Sequence, residues 1–303
     1  MLDRQRLRRT VAVINGKGGV GKTSITANLA GLFAASGYRV LAVDLDPQGN
    51  LGSDLGYLGA GLSDSGASLR SATLDLKAPE TLSAVRPGLD VVAGGEHLHD
   101  LAAMLQARSR TGRGGAQDLA ATIGALAGDY DLTLLDCPPG SDVLQEGALH
   151  AARWALVPTK TDDASRAGLR DVARRFAAAR TSNPDLAVLG VVLFGVNTSA
   201  RRVLSQARAA LEQDLGGVAP VLNTAIRHVE AAAVDARGRG QLVHELERDA
   251  SAAPKWYERL RTPGDAPVQR LAGSAGALAS DYEALAEEVL THIVEAESTS
   301  GAA

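Results

Sequence analysis

The chain has 303 residues, of which 45% are hydrophobic, so it can bury one substantial core without a second domain. Its 31 basic and 35 acidic residues give a net charge of −4, which excludes nucleic-acid binding through the overall field and leaves that role to a local basic cluster. The single cysteine, Cys137, excludes a disulfide framework and a Cys-x-x-Cys metal site within one chain.

The ends of the chain carry no segment that predicts a membrane anchor. No apolar run approaches the roughly 20 residues that span a bilayer, and the basic residues 1–9 lead into no apolar signal region. We expect a cytoplasmic protein with a basic N-terminal arm at 1–9, a single domain at 10–295 and a disordered tail at 296–303.

Short aliphatic runs alternate with longer segments rich in alanine and leucine, which is typical of an α/β fold. The pattern predicts a doubly wound, mostly parallel sheet flanked by helices. The predicted strands are 11–14, 40–43, 89–92, 132–135, 154–157 and 188–192, with a shorter one near Val221. Between them, the composition predicts a surface loop with a short helix at 52–71, a solvated loop at 108–115 and an irregular insertion at 261–273.

The first predicted strand runs directly into residues 16–23, GKGGVGKT, which fit the phosphate-loop pattern G-x-x-x-x-G-K-[ST]. Its glycines let backbone N–H groups surround phosphate oxygens, Lys22 neutralises phosphate charge, and the Thr23 hydroxyl can ligate Mg²⁺ at a helix N-terminus. We therefore predict nucleoside triphosphate binding by Gly18, Gly19, Val20, Gly21, Lys22, Thr23 and Ser24.

Carboxylates follow two later strands. Asp44 and Asp46 come after the second strand, and Asp136 ends the strand at 132–135. Because the carboxyl ends of parallel strands meet at one edge of the sheet, these side chains should converge on the phosphates. This placement predicts a role in Mg²⁺ binding for Asp136, whereas simple strand-end hydrogen bonding stays open for Asp44.

Three motifs in order resemble the deviant-Walker ParA/MinD ATPases. The first is the phosphate loop with an additional lysine, Lys17; the second is residues 40–50, VLAVDLDPQGN; the third is residues 132–140, LTLLDCPPG. The DPQGN stretch and residues 197–202, NTSARR, are most similar to the ParA/Soj partition branch.

The resemblance implies a slow ATP hydrolase that uses ATP and Mg²⁺. It assigns catalysis to Lys17, Lys22 and Asp46, with Lys17 reaching the phosphates of a second copy in an ATP-dependent homodimer. Asp46 would position the attacking water, and the metal shell would be formed by Thr23, Asp44, Asp46 and Asp136. Asn197 would read the adenine edge, although an ordinary loop asparagine is the alternative.

A basic cluster is the expected DNA contact. Arg201, Arg202 and Arg227 resemble family arginines that face DNA, and Arg237 and Arg239 extend the same region. Contacts of this kind would be salt-sensitive and independent of base sequence. The alternative for each arginine is a solvated position on an amphipathic helix.

The leading hypothesis is a nucleoid-associated ATPase that binds DNA nonspecifically and segregates plasmid or chromosome copies with a ParB-like partner. A MinD-like membrane switch is disfavoured because residues 280–297 carry many acids and no Lys or Arg. A positioner of protein cargo shares all the motifs and stays open. A metal-cluster carrier is disfavoured by the single cysteine.

Overall fold

The computed structural model describes residues 2–161, 163–197, 201–252 and 275–300. Over these residues the strands form an eight-stranded sheet in the order β3-β4-β2-β5-β1-β6-β7-β8. Every neighbouring pair is parallel except β3 and β4. The strands are β1 (Thr10–Val13), β2 (Val40–Asp44), β3 (Leu82–Arg86), β4 (Leu89–Val92), β5 (Leu132–Asp136), β6 (Trp154–Thr159), β7 (Ala187–Val196) and β8 (Val221–Arg227). The predicted doubly wound, mostly parallel α/β fold is confirmed.

Helices cover both faces of the sheet. The face that carries Val11 and Val13 is buried against α1 (Lys22–Ala35), α2 (Asn50–Asp54), α9 (Glu230–Arg239), α10 (Val243–Ala252) and α11 (Ala275–Ser300). The face that carries Ala12 and Ile14 is buried against α3 (Ala67–Asp75), α4 (His97–Arg110), α5 (Ala116–Ala127), α6 (Asp142–Ala151) and α7 (Asp163–Arg180). Leu211 of α8 (Arg201–Leu215) packs on the outer part of β7. Burial on both faces explains why the central strands are continuous apolar runs.

The edge strand β3 was missing from the predicted elements. Its sequence, LSAVR, has no apolar run, because this antiparallel strand at the sheet edge is only partly buried. Ala84 adopts a positive φ of 53°, and the register with β4 shifts between Leu82 and Arg86. Such an irregular edge is a poor template for pairing with another chain.

The N-terminal arm is packed against the domain instead of extending from it. Leu7 is 1% exposed within the core. The Arg6 guanidinium donates to the carbonyl oxygens of Gly124 and Ala125, and Arg9 forms a two-bond ion pair with Glu297 at 2.6 and 2.8 Å. The arm is therefore part of the fold.

The C-terminal end also differs from the prediction. Helix α11 continues to Ser300, so the disordered tail predicted from residue 296 is wrong for residues 296–300. The apolar face of α11 is buried and Glu297 is tied to Arg9, and neither contact could be read from the polar sequence of the tail. Residues 301–303 and the predicted insertion at 261–273 lie outside the described residues.

Two segments that were expected to be surface loops are more regular than predicted. Residues 52–71 contain most of α2 and the beginning of α3, whose Leu69 is fully buried. The stretch 108–115 begins as the last turn of α4, where Arg108 pairs with Asp118 at 3.1 Å. Only residues 111–115 form a loop between α4 and α5.

Candidate functional site

Asn15, directly before the phosphate loop, links the loop to β6. Asn15 is fully buried; its side-chain amide donates to the Pro158 carbonyl oxygen at 2.8 Å, and its Oδ1 accepts from the Lys17 backbone N–H at 2.9 Å. Asn15 was not among the predicted site residues, because it precedes the motif and its contact with β6 is made only in the folded chain.

Two glycines give the loop its shape. Gly19 and Gly21 have φ values of +70° and +88°, which residues with a side chain rarely adopt. A Cβ at Gly21 would also overlap the Phe194 ring at the end of β7. The loop therefore fits closely between β1 and β7.

Helix α1 begins with its backbone N–H groups open to an anion. Its N-cap is Gly21, which provides no capping side chain, and its first turn has no acidic residue. The Lys22 side chain is buried, and its ammonium donates to the Lys17 carbonyl oxygen at 2.9 Å. Burial lowers the Lys22 pKa, and Asp136 opposes this shift. The arrangement suits a bound phosphate, because the helix dipole and Lys22 present positive charge together.

Asp44 and Asp136 lie side by side at the carboxyl ends of β2 and β5, where they are register partners. Both are completely buried. The Asp44 Oδ1 accepts a hydrogen bond from the Asp46 backbone N–H at 2.9 Å, while its Oδ2 and both carboxylate oxygens of Asp136 have no well-formed hydrogen bond among the described residues. The structure thus brings Asp44 and Asp136 together at this edge of the sheet.

This crowding perturbs both acids. Burial is the main cause that raises the pKa of Asp136 to about 7; the nearby Thr23 hydroxyl and Lys22 oppose the rise, while Asp46 adds to it. Burial and the charge of Asp136 also raise the pKa of Asp44 well above its usual range. When two carboxyl groups are buried side by side, their ionised forms are destabilised unless a cation binds next to them.

The carboxylate and hydroxyl oxygens at this site fit Mg²⁺ that is bound together with a phosphate. Within the described parts of the chain, no three His, Cys, Asp or Glu residues are grouped to hold a metal by themselves. Mg²⁺ in such sites commonly takes one or two carboxylates, waters and phosphate oxygens. The unpartnered oxygens of Asp136 and Asp44, together with the Thr23 hydroxyl, could supply the protein share of that shell.

Asp46 belongs to the same cluster but is held by the turn that follows β2. Its Oδ1 accepts from the Gln48 backbone N–H at 2.9 Å, and it is 7% exposed. Gly94 leaves space for the neighbouring Asp44 side chain, because a Cβ at position 94 would lie 2.6 Å from the Asp44 carboxyl carbon. Gly94 was also absent from the predicted site, although the Gly94-Gly95 pair after a strand was an available signal.

A cleft of about 390 Å³ adjoins the phosphate loop, and we call it the α9 cleft. It is lined by Gly19 and Ser24 of the loop region, by Phe194 and Gly195 near the end of β7, and by Arg237 of α9, among others. Asn197, the predicted adenine reader, is exposed and follows β7 directly. The end of β7 thus lies beside the phosphate loop, whereas Asn197 itself is not among the residues that line the α9 cleft.

The predicted DNA-facing arginines fall into two environments. Arg202 is exposed in the first turn of α8, while the side chain of Arg201 is outside the described part of the structure. Arg227 ends β8 and forms a two-bond ion pair with Asp281 of α11, at 2.6 and 2.7 Å. The structure therefore gives the Arg227 guanidinium a partner within the fold.

Comparisons with known proteins agree with this geometry. A family model described as an AAA domain matches residues 8–188. The chromosome partitioning protein ParA of Caulobacter vibrioides is 38% identical over 194 residues, which cover 61% of this chain and 68% of that protein. The chromosome-partitioning ATPase Soj of Thermus thermophilus is 34% identical over 215 residues, 68% of this chain and 78% of that protein.

Among solved structures, an ATP complex of McdA from Cyanothece superposes with a TM-score of 0.71 at 20% identity, covering 93% of this chain and 96% of that chain. At this identity the likeness supports the fold alone. The sequence relatives carry the assignment further, because the Soj alignment spans two thirds of the chain and the family model covers its phosphate loop and both strand-end acidic motifs. This chain belongs to the ParA/Soj family of partition ATPases.

Proposed function

We propose that this chain is a switch ATPase that binds Mg²⁺ and ATP, dimerises on ATP, binds DNA nonspecifically and segregates plasmid or chromosome copies with a ParB-like partner. The observation that carries the nucleotide part is the buried Asp44 and Asp136 pair, in which Asp136 lies beside Thr23 and Lys22. The names of the partitioning relatives support the biological output.

In this proposal each residue of the cluster has one task. The glycine loop and the N-terminus of α1 bind the phosphates, and Lys22 leaves the Lys17 carbonyl to neutralise their charge. The metal, when bound, neutralises phosphate charge as hydrolysis proceeds. Asp46 holds the attacking water, Asn197 reads the base, and Lys17 reaches the nucleotide of a second copy.

The DNA contact of the proposal rests on α8. Arg202 is exposed at the first turn of this helix, which packs on the outer strands β7 and β8. Arg201 would join it, whereas Arg227 would act by holding β8 to α11. A salt-sensitive contact without base reading follows from arginines that meet only phosphates.

A membrane-bound output has less support. None of the helices that the structure describes is long and apolar enough to cross a membrane. In α11 the apolar side is buried in the core, and the helix carries six acidic residues without Lys or Arg. A helix of this kind lacks the free apolar face and basic polar face that bind anionic lipid.

The test is binding to a nonspecific DNA duplex, measured by fluorescence anisotropy with ATP, ADP or no nucleotide at two salt concentrations. The test variant is Arg201→Ala/Arg202→Ala; the matched control is Arg110→Ala/Arg113→Ala, which removes the same charge from the exposed end of α4 and the loop after it. We expect ATP-dependent, salt-sensitive binding that only the α8 variant loses. Intact ATP binding without DNA binding would contradict the partition proposal and direct attention to protein cargo.

A further inference from the structure

Arg237 faces the α9 cleft, although its sequence position places it with the arginines expected to meet DNA. It lies in the last turn of α9 and lines the cleft together with Gly19 and Ser24 of the phosphate-loop region. Its side chain is about half exposed. This cation is therefore within reach of a ligand in the cleft.

A buried carboxylate holds the guanidinium in place. Asp54, at the end of α2, is 8% exposed, and its Oδ1 accepts from Arg237 Nε at 2.6 Å. Its other oxygen, Oδ2, accepts from the Ser24 hydroxyl at 3.3 Å. Asp54 thus forms hydrogen bonds with both Arg237 and Ser24, and Ser24 directly follows Thr23 in α1.

The ion pair leaves most of the guanidinium available. Asp54 accepts a hydrogen bond from Arg237 Nε, and the two terminal nitrogens of Arg237 donate to no acceptor among the described residues. A guanidinium held at one edge presents its remaining N–H groups and its flat face in a fixed direction. Both features suit a nucleoside, since arginine stacks on purine rings and donates hydrogen bonds to base and ribose oxygen or nitrogen atoms.

We propose that Arg237 contacts the nucleoside part of the bound nucleotide and that Asp54 is its positioning residue. The inference rests on the proposed function and adds to it that the base and ribose occupy the α9 cleft, which adjoins the phosphate loop. It moves Arg237 from the DNA-binding surface to the nucleotide site, while Arg239, two residues further along the same helix, stays outside the cleft lining.

The test compares Mg²⁺-ATP with Mg²⁺-tripolyphosphate, which has the phosphates but no nucleoside, by calorimetric titration of Arg237→Gln. We expect ATP affinity to fall about tenfold, the equivalent of one good stacking or charged hydrogen-bond contact, while tripolyphosphate affinity changes less than about twofold. Arg239→Gln is the matched control and should leave both affinities unchanged. Asp54→Asn should weaken ATP in the same direction, and the double variant should bind ATP no more weakly than Arg237→Gln.

Unchanged ATP affinity in Arg237→Gln would overturn the inference, as would an equal loss for ATP and tripolyphosphate, which indicates a displaced phosphate loop. Loss of DNA binding at saturating ATP, with ATP affinity intact, would return Arg237 to the DNA surface. Failure of the unmodified protein to bind ATP would instead refute the proposed function itself. The tripolyphosphate titration also reports folding, because an unfolded variant loses both ligands.

Discussion

Asp136 illustrates how a single side chain can be unfavourable for the empty fold and necessary for the proposed activity. Its carboxylate is buried next to Asp44, and its pKa is raised to about 7 from an ordinary value of 3.8. Between those two pH values the folded state binds more protons at this site than the unfolded state. The free energy of unfolding contributed by Asp136 therefore falls as pH rises from about 4 to about 7.

We expect Asp136→Asn to raise the thermal midpoint of the metal-free protein at pH 8, with a smaller difference from wild type at pH 5, and to abolish ATP hydrolysis. The gain arises because the amide removes a buried charge, and the loss because it removes a metal ligand. Differential scanning calorimetry from pH 5 to 8 measures the first effect, and phosphate release measures the second.

Asp131→Asn is a control with the opposite sign. The partly exposed Asp131 has its pKa lowered by hydrogen bonds from Arg39, so its replacement should slightly lower the midpoint at neutral pH. A pH-independent difference between Asp136→Asn and wild type would show that Asp136 is ionised throughout this range.

Gly21 is a second residue whose replacement has a defined consequence. Its φ is +88°, and a Cβ added there would overlap the Phe194 ring, so alanine meets both backbone strain and a clash. We expect Gly21→Ala to lower the free energy of unfolding by roughly 1–3 kcal/mol and to weaken ATP binding. In a Phe194→Ala background Gly21→Ala should lower the free energy of unfolding by less, because only the backbone strain remains. Urea unfolding measures both losses, and equal losses in the two backgrounds would show that the clash with Phe194 contributes nothing.

At the scale of elements, the ion pair between Arg227 and Asp281 fastens β8 to α11. Asp281 accepts two bonds from the guanidinium and one from the Arg227 backbone N–H at 2.9 Å, and its side chain is 12% exposed. The pair raises the Arg227 pKa, chiefly through the side-chain hydrogen bond. Arg227 thus has a structural task that does not depend on DNA.

We expect Arg227→Gln to cost roughly 1–3 kcal/mol of unfolding free energy, the range for hydrogen bonds to charged groups that lose their partner. Asp281→Asn should have a comparable cost. The DNA affinity of the folded Arg227→Gln protein with ATP should stay within about twofold of wild type. If Arg227 instead contacted a DNA phosphate, the variant would lose one contact that releases a counterion, and its DNA affinity would fall. A large loss of DNA binding with unchanged stability would restore the DNA role of Arg227.

At the scale of the whole molecule, the candidate site joins segments that are far apart in the chain. The phosphate loop, the ends of β2 and β5 and the α9 cleft come from well-separated parts of the sequence, and two separate helix layers cover the sheet that carries them. A ligand bound across these parts stabilises the folded state only, because the unfolded chain has no such site.

Mg²⁺-ATP should therefore raise the thermal midpoint, and at a ligand concentration about 100 times Kd the gain is about 2.7 kcal/mol. A chelator should remove most of the shift, since the paired acids then face the phosphates without a metal. Lys22→Ala is the control that should show no shift. The same shift for wild type with ATP in the presence or absence of a chelator would argue against the metal role of Asp44 and Asp136.

The sequence predicted the α/β fold, the phosphate loop and the strand-end acids, because these depend on local patterns. A parallel strand buried on both faces must be apolar along its length, and a phosphate loop needs glycine, lysine and threonine at fixed spacing. It could not predict β3, the packed N-terminal arm or the helical residues 296–300, since each is stabilised by partners distant in the chain.

The chemistry that this protein can perform was thus determined by the sequence, whereas the partner of each charged side chain was decided by the tertiary structure. Arg202, Arg227 and Arg237 are alike as sequence features, yet one is exposed on α8, one is paired with Asp281, and one is held at the cleft by Asp54. The reason is physical: a local pattern fixes a residue's type and its element, but the charge that it meets comes from whichever element the fold packs against it.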